Sequence, residues 1–96
     1  MNISFENGRM FCDGTEQRFY SVGKNQTGEL KISVGTESGS LSISVFPTDD
    51  PDHFCYRGVD IPTSDFSVML PDSGEYEVWI EAERFAGNYG FEWITR

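Results

Sequence analysis

Apolar side chains recur at every second position along most of this chain, and stripes with the 3.6-residue helical period are nearly absent. Ile3 and Phe5 alternate with polar neighbours before an Asn7-Gly8 turn. Arg9-Met10-Phe11-Cys12 then reads as a short strand that Asp13-Gly14 stops. Phe19-Tyr20-Ser21-Val22 gives a further strand, ended by a polar stretch over 23–28. Leu30, Ile32 and Val34 alternate with Lys31 and Ser33, while Leu41, Ile43 and Val45 alternate with serines. Thr36-Glu37-Ser38-Gly39 between these two runs predicts a hairpin turn. One face of that ribbon is branched and apolar and the other carries small hydroxyls, so one side meets a core.

The segment 47–54 is a polar connection with Pro47 and Pro51 inside it. Cys55-Tyr56-Arg57-Gly58 resumes as an edge or short strand, and Pro62 excludes a central strand there. Phe66, Val68 and Leu70 alternate again as far as a Pro71-Asp72-Ser73-Gly74 turn. Tyr76, Val78, Ile80 and Ala82 follow, interleaved with Glu75, Glu77, Trp79, Glu81 and Glu83. Wound as a helix, this segment would scatter its apolar residues around the axis. After a break at 84–88, a last strand carries Tyr89, Phe91 and Trp93 on one face. Seven or eight short strands with one apolar face each predict an all-β fold, a two-sheet antiparallel β-sandwich, with a small closed barrel as the runner-up. The 96 residues make a single domain over 1–96, of a size that buries about 60–65% of its unfolded surface.

Charge adds a constraint on partners. Seven basic against sixteen acidic side chains give a formal charge of −9, which repels phosphate backbones and argues against nucleic acid as a direct ligand. No apolar run is long enough for a transmembrane segment. The acids are unevenly placed: residues 1–48 hold five acidic and four basic side chains, residues 49–96 eleven and three. Between 75 and 83 every outward position is glutamate except Trp79. Glutamates two residues apart on one face lie within about 7 Å of each other and repel, and glutamate is a poor strand former. A tryptophan among them is an anchor of the kind interfaces favour. Trp79 with Glu75, Glu77, Glu81 and Glu83 is therefore a candidate partner-binding surface for a basic protein, its field raising the encounter rate. The competing reading places Trp79 beneath 84–88 and lets the glutamates keep an edge strand soluble.

Other chemistry is sparser. Asp49, Asp50 and Asp52 in one loop suit calcium, with Asp13 or Asp72 able to contribute from a neighbouring turn, and they equally suit an ordinary solvated loop. No other cofactor is suggested. The single histidine, His53, sits two residues from Cys55, but catalysis also needs an oxyanion donor and a dry pocket, and no catalytic motif is present. The chain reads as non-catalytic. Cys12 and Cys55 either pair, closing a loop of about 44 residues worth roughly 4 kcal/mol, or remain two free thiols. Asn25-Gln26-Thr27 marks an exposed turn and matches a glycosylation acceptor. The first residues lack the basic and apolar regions of a secretory signal, which fits a cytosolic protein or a mature domain equally. Tyr20, Tyr56 and Tyr89 are spare aromatics for a carbohydrate partner.

Several segments together carry a resemblance. Gly28-Glu29-Leu30-Lys31-Ile32-Ser33-Val34, Ser38-Gly39-Ser40-Leu41-Ser42-Ile43-Ser44-Val45, Phe66-Ser67-Val68, Gly74-Glu75-Tyr76-Glu77-Val78-Trp79-Ile80 and Gly87-Asn88-Tyr89-Gly90-Phe91 stand in that order. The pattern resembles the bacterial pre-peptidase C-terminal domains, small jelly-roll β-sandwiches, over roughly residues 15–94. The resemblance implies a jelly-roll fold and a non-catalytic accessory module of a secreted protein, in an extracellular or periplasmic setting, with a matrix, a sugar or calcium as ligand. The alternative is a free-standing acidic inhibitor that docks on a basic partner, including by mimicry of nucleic-acid charge. Either way a monomer or weak homo-oligomer is expected.

Overall fold

The computed structural model describes the backbone of residues 2–6 and 9–96 and the side chains of residues 13–96. Among the described residues six strands form: β1 (Asn2–Glu6), β2 (Arg9–Val22), β3 (Gly28–Pro47), β4 (Tyr56–Gly58), β5 (Ser64–Leu70) and β6 (Gly74–Thr95). All belong to one antiparallel sheet, hydrogen-bonded in the order β1-β2-β6-β3-β4, with β5 as an additional partner of β3. The all-β expectation holds. The two-sheet jelly-roll sandwich of seven or eight short strands does not, and the likeness to pre-peptidase C-terminal domains is corrected with it: the chain builds a single sheet.

Three segments that read as strand boundaries cause the difference. Asp13-Gly14 lies inside β2, Thr36-Glu37-Ser38-Gly39 inside β3, and 84–88 inside β6. The two halves of β3 therefore form no hairpin with each other. Residues 28–36 pair with 87–95 of β6, and residues 38–47 pair with 76–86. The ladder slips where a turn and a break were expected. Between Thr36 and Ser38 the extra residue is on β3, and between Ser38 and Ser40 it is on β6. Opposite the same stretch of β6, the β2 register slips between Cys12 and Gly14. These are β-bulges, which bend a strand without ending it. Arg84 (φ 49°), Gly39 (φ 77°) and Gly87 (φ 147°) adopt left-handed backbone conformations at this bend. A Cβ on Gly39 would collide with the carbonyl oxygen of Arg84, and one on Gly87 with that of Gly35. Glycine at these two sites admits a close backbone crossing.

The bend supplies the core. A straight strand of twenty residues would span about 65 Å, whereas the longest dimension of the molecule is 44 Å. The buried side also changes parity at the bulges: Leu30, Ile32 and Val34 give way to Leu41, Ile43 and Val45, and Tyr76, Val78, Ile80 and Ala82 give way to Phe85. The extra residue keeps the apolar side on the inside of the curve. One sheet thus folds over its own hydrophobic face. Both halves of β3 and β6 join a single buried cluster with Val22, Val68 and Leu70. The sequence pattern over 76–82 is realised as a strand with its four apolar residues buried. No described polar residue is buried.

Inward side chains tie the two layers of the sheet together. Tyr20 packs on Trp93 with ring centroids 4.9 Å apart, the Arg18 guanidinium lies 4.9 Å from the Phe91 ring, and the Tyr89 hydroxyl donates to Glu16 Oε2 at 2.8 Å. These contacts draw β2 over the second half of β6, and Tyr56 against Phe66 (5.0 Å) does the same for β4 and β5. Burial opposes the charge of Arg18, but its hydrogen bond with Tyr20 and the adjacent Glu16 outweigh that and hold it protonated. The 59–63 connection is pinned by Ile61, whose N–H donates to the Leu41 carbonyl and whose carbonyl accepts from Thr36 Oγ1. Asn25-Gln26-Thr27 is exposed, as expected. The Asn7-Gly8 turn lies outside the described residues, as does the side chain of Cys12. No helix among the described residues is long and apolar enough to cross a membrane.

Candidate interaction surface

The convex side of β2, β6, β3 and β4 is assembled by register. Across it, Gln17, Trp79, Ser44 and Arg57 form one row, and Phe19, Glu77 and Phe46 form the next. Thr15, Glu81 and Ser42 lie on the other side of Trp79. β6 runs between β2 and β3, so the glutamates line a central strand. They do not serve to solubilise an edge, and 84–88 is strand and no cover for Trp79.

Trp79 is half-buried because Phe46 packs beside it, with centroids 6.4 Å apart, and its indole N–H donates to the carboxylate of Glu77. Phe46 in turn meets the edge of Phe54 at 5.9 Å, and the Arg57 guanidinium sits 5.3 Å from the Phe54 centroid. Phe19 is 57% exposed and Phe54 44%. Glu75, Glu81 and Glu83 are exposed along β6 on the same face. The result is an aromatic ladder set into a row of carboxylates. Phe19, Phe46, Phe54 and Arg57 belong to it although sequence reasoning singled out none of them. Phe46 carried a signal, since it continues the outward parity of Ser40, Ser42 and Ser44, but which strands flank Trp79 is not a local property.

A cleft of about 480 Å³ adjoins this face at Glu75, lined also by Asp49, Asp50, His53, Asp72 and Tyr76. The Tyr76 hydroxyl donates to the Asp72 carbonyl at 2.7 Å, and the Thr48 N–H to the Glu75 carbonyl at 2.9 Å, which hold the loop and the turn together. Asp49 and Asp50 are thereby brought beside Asp72, while Asp52 is not part of the cleft lining. Among the described residues no group of three or more His, Cys, Asp or Glu side chains is placed to hold a metal ion. Tyr20, Tyr56 and Tyr89, the sequence candidates for sugar recognition, are half-buried in inward packing and form no outward cluster.

Cys55 is an exposed free thiol whose N–H donates to the Val45 carbonyl at 2.7 Å. The sheet order sets β6 and β3 between the strand carrying Cys12 and the one that Cys55 leads into. Partial burial pushes the Cys55 thiol up, and the nearby Asp72 adds to the effect. Because the thiolate is the nucleophile, Cys55 is expected to alkylate more slowly at pH 7.5 than a cysteine in an unstructured peptide, and Asp72→Asn is expected to speed it. Peptide-mapped iodoacetamide labelling checks this, and a rate equal to the peptide's would contradict the described environment.

No protein-family model matches the chain, and no curated protein matches it significantly. The glycine, tyrosine and branched positions behind the jelly-roll resemblance report two-residue alternation, which a bent single sheet also displays.

Proposed function

We propose that this chain is a non-catalytic binding module that docks a basic protein surface on the convex face of β2, β6 and β3. The observation that carries the reading is the central strand itself. Four glutamates and a tryptophan occupy the outward positions of β6 over 75–83, between two neighbouring strands, where like charges and poor strand formers cost stability. Stability alone would favour threonine or valine there. The acids supply steering and the Trp79–Phe46–Phe54 ladder supplies short-range affinity. A secreted accessory role rested on the resemblance and is not the reading this surface favours.

Fluorescence anisotropy with dye-labelled decalysine tests the proposal. Binding is expected to weaken markedly between 50 and 300 mM salt, as screening of exposed charges requires (Debye length about 10 Å at 0.1 M). Trp79→Ala is expected to cost about 2 kcal/mol, roughly 30-fold, and Gln at positions 75, 77, 81 and 83 together to abolish binding with the melting temperature retained. Asp65→Asn with Glu92→Gln, on the other side of the molecule, is the control expected to leave affinity unchanged. Equal losses from the control and from the β6 variants would defeat the proposal.

A further inference from the structure

The acidic face has an open margin. β2 contains fourteen residues, of which β1 covers the five from Arg9 to Asp13. Residues 14–22 pair with β6 on one side and, among the described residues, with no strand on the other. This leaves about 30 Å of edge. Among the described residues β6 also has an unpaired edge over 88–95, beyond the bend from the acidic residues 75–83, and the edges offered by β4 and β5 are shorter, at three and seven residues. Long edges are ordinarily blunted by proline, lysine or inward charge. Residues 14–22 contain no proline or lysine, and the two charges they turn inward, Glu16 and Arg18, are paired with each other and engaged by Tyr89 and Phe91.

We propose that the edge of β2 over 14–22 is a strand-addition site for an extended basic segment of the partner, lying antiparallel to β2 in line with β1. The proposal rests on the basic-partner reading above and gives it a binding mode. β1 already occupies the same edge in antiparallel register, ending where Asn2 faces Asp13, so an added strand continues an existing ladder. Main-chain hydrogen bonds give such complexes their affinity, and alternate side chains give specificity. Outward positions of the added strand lie beside Thr15, Gln17, Phe19 and Ser21. β6 is then two strand spacings away, about 9.6 Å, within reach of a lysine or arginine extended over β2 toward Glu77 and Glu81. The exposed Phe19 ring, directly opposite Glu77, offers a surface for the aliphatic stem or the cation. The matching segment therefore has Lys or Arg at every second position.

The probe is a blocked octapeptide of alternating lysine and valine, with two derivatives bearing backbone N-methyl groups on the lysines only or on the valines only. Each derivative keeps the charge but loses the hydrogen-bonding capacity of one edge. The parent peptide is expected to slow amide exchange at alternate residues between Thr15 and Ser21 at least tenfold at saturation. One derivative is expected to bind at least tenfold more weakly than the parent and the other equally well. Equal binding by both derivatives, protection confined to β5, or no binding by the parent would each overturn the proposal. If decalysine still binds in a Trp79-dependent way in those cases, only the strand addition falls. If the edge pattern appears and survives Trp79→Ala, the docking face falls and the edge stands.

Discussion

Gly87→Ala is expected to destabilise this protein by about 2–6 kcal/mol, the sum of two costs. A non-glycine residue held at an unfavourable positive φ costs about 1–3 kcal/mol, and Gly87 has φ 147°. Its new methyl group would also drive into the carbonyl oxygen of Gly35 and lie 3.2 Å from the Phe85 ring. The first obstacle is backbone, so relief requires β3 and β6 to separate at their bend, an overpacking penalty of about 1–3 kcal/mol. For a domain this small each kcal/mol lowers the melting temperature by about 4–8 °C, so a drop of at least about 8 °C is expected by circular dichroism. Gly90→Ala is the matched control. It lies three residues along the same strand, a Cβ there meets nothing within 4 Å, and its φ lies outside the glycine-favouring range. A change within about 0.5 kcal/mol is expected for it. Equal melting temperatures for the two variants would mean that the strands do not cross where described.

Phe85→Ala is expected to cost about 3–5 kcal/mol, the range for emptying a fully enclosed aromatic site. Phe85 has 0% exposure and heads the largest fully buried side chains. It sits where β6 changes parity, with Tyr89 at 6.3 Å between ring centroids. Both layers of the folded-over sheet converge there, so the cavity has little freedom to collapse. Urea unfolding is expected to show a lower midpoint with an unchanged slope, the signature of lost stability with the same surface exposed on unfolding. Phe19→Ala provides the contrast. Its ring is 57% exposed, so stability is expected to shift by less than about 0.5 kcal/mol while peptide binding weakens. If Phe85→Ala proved as mild as Phe19→Ala, the bend would not be part of the core.

The acidic face shows how far local reasoning reaches. That Trp79, Glu75, Glu77, Glu81 and Glu83 share one face of a strand, opposite Tyr76, Val78, Ile80 and Ala82, was legible because side chains alternate strictly along extended backbone. That Phe46, Phe54 and Arg57 join Trp79, and that Phe19 lies across Glu77, depends on which strands are neighbours. That Asp49 and Asp50 line one cleft with Asp72 likewise depends on a loop and a turn being tied through Thr48 and Glu75, which are distant in the chain.

From the sequence by itself came the all-β class, the inward and outward face of most strands, and the acidic character of one face, all of which follow from a two-residue period and from charge. Tertiary structure alone decided that Asp13-Gly14, Thr36-Glu37-Ser38-Gly39 and 84–88 bend strands and do not end them, and hence that there is one sheet in place of two. The physical reason lies in the glycines: a left-handed residue is compatible with a turn or with a bulge, and the choice is made by whether a partner strand continues alongside it. At Gly39 and Gly87 that partner is the backbone of Arg84 and Gly35, residues 45 and 52 positions away along the chain.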